Sequence, residues 1–510
     1  RNNLSTESKP ENAKNLIVSK PAFDFYDFNA KAFIKFGKHF IDFNAFRSAD
    51  YFKDQYDISY KIKNNATNEE LFRQVSKWDN KVFGLNYKHQ SDDHDMAVSL
   101  YKTEYSSTYD IWSNLVQRRQ NVVLRDTVTV LNNNFIRDYG AKFVYLSKGK
   151  YQYLAGVEYV HHQNELYMEN NQNPIFEINK SGAQSSIFTE ISLGKKEGLF
   201  VQPALRSTLI HNLSTFYILP QIYLSYGLND HWILKTSAGK QVQYIRQLDH
   251  ENLLGQRQQF FALSNGTSVP VGKGFNFMTG SWKSWGKFSL DVEGYFRTLD
   301  GAIIHATQTP GLRSQGVPIT QNKFRLFHGD SRVYGVDFSL IYESSGLFSM
   351  LNYTLSKSEN RFREIFRNQY FPSAEDSRHQ LKWINSYKYS RFEFSINYIA
   401  SSGRPYLDLS ALNNLVDRNN LIIGNYIKNL NDYHRIDAGV TYNLEIFHQK
   451  AKLGFSVFNL TNHTNVKYRQ FVYQVPPPAG SGLDPVNTIL GSDVSQLDRT
   501  FNVSFGITLE

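Results

Sequence analysis

The chain has 510 residues, of which 41% are hydrophobic and 15% aromatic, and it carries a formal net charge of +9. It has no cysteine, which excludes disulfides, thiol catalysis and cysteine-based zinc sites. No apolar run approaches the roughly 20 residues that a membrane-spanning helix needs, so a helical membrane protein is excluded. The 56 basic residues are spread among 47 acidic ones without a basic block, which argues against a nucleic-acid-binding protein.

Apolar and polar residues alternate along many segments, and the first clear strand runs from Phe25 to Phe36. Alternation with a period of two residues is typical of a β-strand with two different faces. The C-terminal segment has a wholly apolar face, formed by Phe501, Val503, Phe505, Ile507 and Leu509, and a small, polar face. Similar alternation runs through residues 290–296, 336–342, 392–398 and 436–442.

Such strands fit either a soluble β-sandwich or a transmembrane β-barrel. Many of them are longer than the roughly 9–11 residues that cross a bilayer, and their polar face carries full charges, as a wet lumen would. They are also too numerous for one sandwich. The high aromatic content fits two interfacial belts. The sequence therefore predicts an all-β fold, a transmembrane antiparallel β-barrel.

The connections between the strands alternate between short and long. Short turns include Gly37-Lys38, Lys148-Gly149 and Ser390-Arg391. Long loops are predicted near residues 51–77, 106–132, 166–182, 247–271, 299–330, 359–375, 404–429 and 461–496. The connection near Asn212-Leu213 is short where a long loop is due. Short periplasmic turns and long extracellular loops are typical of bacterial barrels.

The pattern predicts about nineteen spanning strands, an odd number, whereas bacterial single-chain barrels have an even number. The strand from Phe25 to Phe36 leads down into a short turn. We therefore expect residues 1–24 to form an extracellular loop segment and residues 25–510 to form the barrel. A closed barrel of about 22 strands needs three more, which we expect upstream or on another chain.

Several segments resemble conserved strands of one family of barrels. They are Phe25 to Lys31 ("Y-x-D-x-N-x-K"), Leu219 to Gly239 ("P-x-x-x-L-x-Y…W-x-L-K-x-S-x-G"), Arg332 to Asp337 ("R-x-x-G-x-E"), Asp376 to His379 ("D-x-R-H"), Ser401 to Tyr406 ("S-G-x-P"), Tyr433 to Asp437 ("Y-x-R-x-D") and Val457 to Asn462 ("N-L-x-N"). In this order and spacing, the chain resembles the barrel portion of a TonB-dependent outer-membrane receptor of the Bacteroidetes type. The end, Ile507-Thr-Leu509-Glu510, departs from the family's usual terminal aromatic residue.

The resemblance implies a plug domain inside the barrel, which we do not find in this chain, and contact with TonB through that plug. It implies active import of a compact ligand such as a siderophore, another metal chelate or haem across the bacterial outer membrane. Further partners would be outer-membrane lipid, lipopolysaccharide and a surface lipoprotein, with no resident cofactor and no enzymatic activity. The alternatives are a passive porin-type channel, a surface enzyme, or a structural, partner-binding component of an envelope complex.

Five charged residues are expected on the lumen face: Glu293, Arg297, Asp337, Arg435 and Asp437. They either form a structural ladder along the wall or contact the plug. Four glycines on the same face, Gly335, Gly439, Gly454 and Gly506, either admit a close neighbour or relieve crowding. In the loops, Phe260, Phe261 and Tyr370 are candidate ligand contacts, and the adjacent His161 and His162 are a candidate site for metal or haem. No catalytic constellation stands out.

Overall fold

The computed structural model describes most of the chain. The described residues are 3–4, 16–19, 22–62, 66–119, 122–149, 151–195, 197–251, 257–308, 313–314, 317–318, 323–363, 368–408, 427–447, 449–473 and 489–508. No helix in this part of the chain is long and apolar enough to cross a membrane. The predicted loops at 404–429 and 461–496 lie partly outside the described residues.

Nineteen strands of the described part form one continuous sheet that curves into a barrel wall. They are β1 (Ala22–Phe36), β2 (His39–Ile62), β3 (Ala66–Gln90), β4 (His94–Arg119), β5 (Val122–Ser147), β6 (Gln152–Asn170), β7 (Asn173–Gly194), β8 (Leu199–Ile210), β9 (Thr215–Asn229), β10 (Trp232–Gln243), β11 (Gly272–Trp285), β12 (Phe288–Gln308), β13 (Lys323–Ser344), β14 (Leu347–Phe362), β15 (His379–Tyr389), β16 (Phe392–Ser401), β17 (Tyr433–Ile446), β18 (Gln449–Phe458) and β19 (Thr500–Thr508). Each strand pairs antiparallel with the next. The predicted all-β class and large antiparallel sheet are confirmed.

The described residues also include short strands that are not among the nineteen of the wall. They are Asn3–Leu4, Val466–Tyr473 and Ile489–Ser495 in a small sheet, Leu16–Ser19 along β2, the hairpin of Ile245–Glu251 and Arg257–Leu263, the pair Arg313–Ser314 and Val317–Pro318, Phe371–Pro372 along β14, and the pair Pro405–Leu407 and Ile427–Asn429. The connection between β8 and β9 is only a short 3-10 helix, His211–Leu213, with Ser214 in the left-handed region at φ 48°.

The two faces of the wall differ in chemistry, because successive residues of a strand point to opposite sides of the sheet. One side carries exposed apolar residues, such as Phe455 on β18 and Phe501, Val503 and Phe505 on β19. The other side carries small or polar residues such as Gly454 and Ser504. An apolar outer surface is what lipid requires, so the first set forms the outer face and the second the inner, lumen face.

The prediction of long loops is wrong for three segments. The segments 51–77, 106–132 and 166–182 belong to the paired strands β2 to β7, with only a few residues between partners at the far end. A strand of 24–26 residues, as in β2 to β5, is about 80 Å long at about 3.3 Å per residue, far more than a bilayer core of about 30 Å. Beyond the membrane no lipid enforces the alternation, so these extensions resemble loops in sequence.

Two strands have an edge without a described partner. β1 pairs with β2, and β19 pairs with β18. Among the residues that the structure describes, no backbone ladder joins β1 to β19. Every residue of β1 and all but the first described residue of β19 are exposed on both faces. The wall therefore has a seam between these two strands.

A hairpin in the connection between β10 and β11 leans into the mouth of the barrel. We call Ile245–Glu251 and Arg257–Leu263 the mouth hairpin. Asp249 pairs with Ile304 on β12, and the other strand reaches β5 and β6. Its apolar residues belong to a buried cluster, formed by Leu166, Met168, Leu248, Phe260, Ala262, Val269 and Ile303.

Two wall asparagines hold the edge of the mouth hairpin. The Asn134 side chain accepts a hydrogen bond from Phe261 N and donates one to Phe261 O, both at 2.8 Å. Asn164 donates to Phe261 O at 2.9 Å and accepts from Leu263 N at 3.2 Å. Both side chains are buried on the inner face. The two amides therefore replace the strand neighbour that this edge lacks.

Replacing Val503 with arginine tests the assignment of the outer face. We expect the free energy of unfolding in lipid vesicles to fall by about 2–4 kcal/mol, because a cation would face mid-membrane hydrocarbon. Urea titration followed by gel mobility of the unheated barrel measures this change. The control Asn502→Arg puts the same charge on the inner face and should change the midpoint little. Equal loss in both variants would contradict the assignment.

Replacing Asn164 with leucine tests the anchoring of the mouth hairpin. Losing the two hydrogen bonds from Asn164 to the hairpin, worth about 1 kcal/mol each, should speed tryptic cleavage in the hairpin roughly tenfold or more. The matched control is Asn80→Leu, which removes an inner-face amide that donates to the Ser48 hydroxyl and lies away from the hairpin. Cleavage mapped by mass spectrometry should accelerate in the first variant alone. Unchanged cleavage would mean that the amides do not hold the hairpin.

Candidate functional site

The five charged residues predicted for the lumen all lie on the inner face of the wall. Glu293 on β12 is paired across the sheet with Asp337 on β13 and with Gly280 on β11. Lys235 on β10 crosses over Gly280 and donates to Glu293 and, at 2.8 Å, to Asp291. Asp337 accepts a hydrogen bond from Thr354 at 2.6 Å. These polar side chains on neighbouring strands of the inner face form what we call the polar ladder.

Glycines let bulky side chains lie flat on this wall. A β-carbon at Gly335 would lie 2.7 Å from the hydroxyl of Tyr295, which crosses this position. The guanidinium of Arg297 stacks 5.1 Å from the Tyr295 ring. Gly439 and Gly454 face serine side chains in the same way, whereas Gly506 faces open space. The neighbours observed at three of the four glycines are residues of the wall itself.

Arg435 and Asp437 hold the end of the wall together near β18. Arg435 Nε donates to Asp437 Oδ2 at 3.0 Å, and Arg435 Nη1 donates to the Tyr433 hydroxyl at 2.9 Å. Asp437 Oδ1 accepts from the backbone N–H of Asn459 at 2.9 Å. Asn459 is fully buried in a left-handed conformation, at φ 52°, directly after β18. This geometry favours a structural role for the motif pair.

His161 and His162 point to opposite faces of β6, because they are adjacent in a strand. His161 lies on the outer face, in the same row as the exposed Tyr159. His162 is buried on the inner face, where its Nδ1 lies 2.7 Å from Asp138 Oδ1 and its ring meets Tyr244 edge-on. The two rings therefore cannot hold one metal ion between them.

The mouth hairpin separates the two predicted aromatic contacts. Phe260 is only 2% exposed and is part of the buried cluster, so it supports the hairpin and is inaccessible to a ligand. Phe261 is half-buried and meets Tyr105 of β4 edge-on at 5.4 Å, on the lumen side of the wall. A pocket of about 350 Å³ opens beside the hairpin's end, between Leu263, Ser268 and β7. Phe261 and Tyr105 therefore form an aromatic pair on the lumen side of the wall, beside the mouth hairpin.

Tyr370 lies elsewhere than the lumen. Its ring covers the guanidinium groups of Arg332, at 3.7 Å, and Arg361, at 4.8 Å. Both arginines share the outer face with Phe338 and Leu355, which are exposed apolar residues of β13 and β14. Tyr370 therefore packs against the outside of the wall, and a ligand in the lumen does not reach it there.

Within the described residues, no group of three or more histidine and carboxylate side chains is arranged to hold a metal ion. The charged groups of the lumen are instead neutralised in pairs or bonded to neighbouring hydroxyl groups, as for Lys235, Asp337 and Arg435. These side chains make the inner face of the described wall polar.

Sequence reasoning missed a buried arginine at the base of the mouth hairpin. Arg246 is 4% exposed and donates to Gly301 O at 2.7 Å, with its guanidinium pressed against Gly272. Burial lowers the pKa of this guanidinium, while the nearby Asp300 acts in the opposite direction. In the described part of the chain, its Nε and one terminal nitrogen have no acceptor. Nothing in the local sequence distinguishes Arg246 from an exposed arginine.

Sequence reasoning also missed a row of histidine and tyrosine rings, which we call the histidine girdle. His39, His89 and His94 stand next to one another on the outer face, with ring centroids 4.7 and 5.7 Å apart. Tyr87 hydrogen-bonds His39 at 2.8 Å, and Tyr145 stacks on His94. They lie at the end of the wall with the tight turns, where an interfacial aromatic belt is expected. Only strand pairing brings these residues together.

Comparison with solved structures shows that other proteins share the fold of this wall. Solved structures with the same fold include the FrpB iron transporter of Neisseria meningitidis, at TM-score 0.54 and 12% identity, covering 98% of this chain and 82% of that one. FpvA of Pseudomonas aeruginosa, bound to pyoverdines, gives 0.54 and 10%, covering 98% and 72%. BauA, the ferric preacinetobactin receptor of Acinetobacter baumannii, gives 0.51 and 11%, covering 96% and 79%.

No curated protein sequence matches the chain. The model of the family described as "TonB dependent receptor-like, beta-barrel" matches residues 23–460, which is most of the wall. The match spans the alternating strands, the inner polar ladder and the motif pair Arg435 and Asp437. The chain is therefore an outer-membrane β-barrel that belongs to the TonB-dependent receptor family.

Proposed function

We propose that this barrel imports a scarce, compact ligand across the outer membrane, with energy delivered through TonB. The observation that carries the proposal is the family match over residues 23–460. Members of this family are transporters and not enzymes. The polar ladder on the inner face and the mouth hairpin above it provide what such a passage needs: a wet wall and a contact surface at its entrance.

A metal chelate is the ligand class we favour. FrpB is described as an iron transporter, and BauA as a receptor for ferric preacinetobactin. At 12% and 11% identity these proteins share the fold alone, so the ligand class is our inference. Phe261 and Tyr105 at the mouth suit stacking on a flat aromatic or chelate ring. The modest barrel size also favours a compact ligand over a long glycan, and haem remains within this class.

We further propose that a plug domain and about three additional strands complete the transporter. The support is the seam between β1 and β19, where both strands have an exposed edge. Each unpaired backbone group in hydrocarbon costs several kcal/mol, so strands must cover these edges in a membrane. The plug would rest against the inner polar ladder and make the contact with TonB. A surface lipoprotein partner and a Bacteroidetes origin stay predictions.

A passive porin is the main alternative, and a structural component of an envelope complex is another. Porins with an open aqueous channel have about 16–18 strands, fewer than the nineteen described here. The mouth hairpin also fills part of the entrance, which is unfavourable for free diffusion. A purely structural role predicts a partner that copurifies and no effect of the gene on growth with any ligand.

Dependence on energy separates import from diffusion. Cells carrying the full-length protein should accumulate radioactive iron from a panel of ferric catecholates, ferric hydroxamates and haem. We expect uptake of at least one probe to stop when TonB is deleted or the proton gradient is dissipated, because active import needs both. Uptake that continues without TonB would support the porin, and absence of uptake for the whole panel would contradict the ligand class.

Replacing Phe261 with alanine tests the proposed entrance contact. Loss of one aromatic contact worth about 0.5–1.5 kcal/mol should raise the KM for the transported probe about two- to tenfold and leave the maximal rate unchanged. The control is Phe447→Ala, at an exposed turn between β17 and β18 at the other end of the wall. An unchanged KM in the Phe261 variant would remove this residue from the ligand site.

A further inference from the structure

The strand β7 extends beyond its neighbour β8 at the extracellular end of the wall. β8 pairs with β7 only as far as Gln184, which lies opposite Ile210, and the chain then turns through the short 3-10 helix into β9. On its other side β7 stays paired with β6 as far as Asn173. In the described part of the chain no strand pairs with β7 above Gln184 on the β8 side. We call residues 177–183 the upper edge of β7.

The upper edge lies outside the hydrocarbon layer. β8 has 12 residues, which span about 40 Å at about 3.3 Å per residue. Barrel strands tilt by about 35–45°, so this length is sufficient to cross a hydrocarbon core of about 30 Å. The residues of β7 beyond the end of β8 are therefore extracellular, and their backbone groups meet water instead of lipid.

One side chain shows which backbone groups point to this edge. Asn212 donates to Ser181 O at 2.6 Å and accepts from Ala183 N at 3.1 Å. Backbone groups alternate between the two edges of a strand, so the N–H and C=O groups of Glu177 and Asn179 point the same way as those of Ser181. Among the described residues these groups of Glu177 and Asn179 have no hydrogen-bond partner. An amide thus covers the lower end of the edge, and the next two pairing residues are open to a partner strand.

A pocket of about 350 Å³ adjoins the upper edge. Ile178 and Leu263 form its apolar part, and Lys180 borders it. Lys180 is exposed and lies opposite the buried Asn164 of β6, which places it on the inner face. Glu177 is exposed and has the opposite parity, on the outer face. Backbone donors and acceptors therefore stand beside a pocket for one side chain, with a cation on one face and a carboxylate on the other.

We propose that the upper edge of β7 binds an extended segment of another protein at the cell surface, which joins the wall as one more strand. In such strand addition the backbone ladder provides affinity, and pockets for alternate side chains provide specificity. Antiparallel pairing, as β8 has with β7 below, puts an apolar residue of the partner opposite Ile178 and into the pocket. An acidic residue then lies opposite Lys180 and a basic residue opposite Glu177, since cross-strand pairs of opposite charge are favourable.

The position of the edge favours a stationary partner over a transported ligand. A strand bound there lies in the plane of the wall, and Asn212 and the 3-10 helix lie at its lower end, so it has no path along the lumen. Proteins normally cover such edges, because unpaired strands bind other chains. Asn134 and Asn164 cover the edge of the mouth hairpin, whereas no described side chain does so at Glu177 and Asn179.

The test measures binding of the fluorescent peptide Ser-Glu-Thr-Leu-Lys-Val-Ser to the detergent-solubilised full-length protein by anisotropy. In the proposed register its Leu lies opposite Ile178 and its Glu opposite Lys180. Asn179→Pro should weaken binding at least about tenfold, because it removes an N–H donor that the wall itself does not use. The matched control Asn179→Ala keeps this N–H and should bind as the parent does. Gel mobility of the unheated protein checks folding, and equal binding by the two variants would overturn the proposal.

Methylation of the peptide backbone tests the ladder from the other side. In an antiparallel pair the Thr and Lys of the peptide, opposite Asn179 and Glu177, direct their N–H groups to β7, and the Leu between them directs its N–H away. N-methylation at Thr should weaken binding at least about tenfold, and N-methylation at Leu should change it less than about twofold. Equal effects at the two positions, or the reverse order, would contradict strand addition.

An exchange of charges tests the register on the inner face. Lys180→Glu should weaken binding of the peptide about threefold and should favour the peptide in which Glu is replaced by Lys, as expected for one exposed ion pair. Lys77→Glu makes the same change on β3, at another exposed lysine, and should leave both affinities unchanged. If Lys180→Glu does not reverse the preference between the two peptides, the proposed fit is wrong.

Cells that display the full-length protein distinguish a surface partner from a transported peptide. The label of the bound peptide should stay accessible to a quencher in the medium, whether or not TonB is present. Protection of the label that depends on TonB would identify the peptide as cargo and would overturn the proposal of a surface partner.

Discussion

The need to satisfy every backbone hydrogen bond in hydrocarbon governs this structure. In lipid no water is available to an exposed N–H or C=O group, so a sheet crossing the membrane must pair strand to strand. The described wall does this through nineteen consecutive antiparallel strands, and the exception is the seam between β1 and β19. Both edge strands are exposed along nearly their whole length, so the seam is where the proposed additional strands would pair.

Successive residues of one strand point to opposite faces of the sheet, so neighbouring side chains lie in two different chemical environments. On β12 the inward Glu293 belongs to a polar ladder with Lys235, while the outward Phe296 faces lipid. On β4 the change occurs along the outer face itself, where Leu100 is followed by Lys102. The parity of each strand alone decides whether a charged residue lies on the inner or the outer face.

Side-chain amides take the place of backbone pairing where the wall is irregular. A short 3-10 helix joins β8 to β9, whereas the neighbouring strands β5 to β7 are longer and extend beyond it. The mouth hairpin lies against this region, and Asn134 and Asn164 bond its free edge. This arrangement buries Phe260, leaves Phe261 toward the lumen, and puts an aromatic pair at the entrance. The same packing buries Arg246 at the hairpin's base and leaves two of its nitrogens without an acceptor among the described residues, which is unfavourable.

The sequence by itself determined the fold class, the nineteen strands of the described wall and the face on which Glu293, Arg297, Asp337, Arg435 and Asp437 lie, because a two-residue period is a property of each strand alone. It did not determine that residues 51–62, 66–77, 106–119 and 122–132 are strands, since no lipid enforces alternation there. Nor did it separate Phe260 from Phe261 or place Tyr370 outside the wall, because these depend on how a hairpin or loop packs. The histidine girdle, the buried Arg246 and the seam arise from neighbours distant in sequence. Only the tertiary structure decides them, since they depend on the register that sets strands side by side.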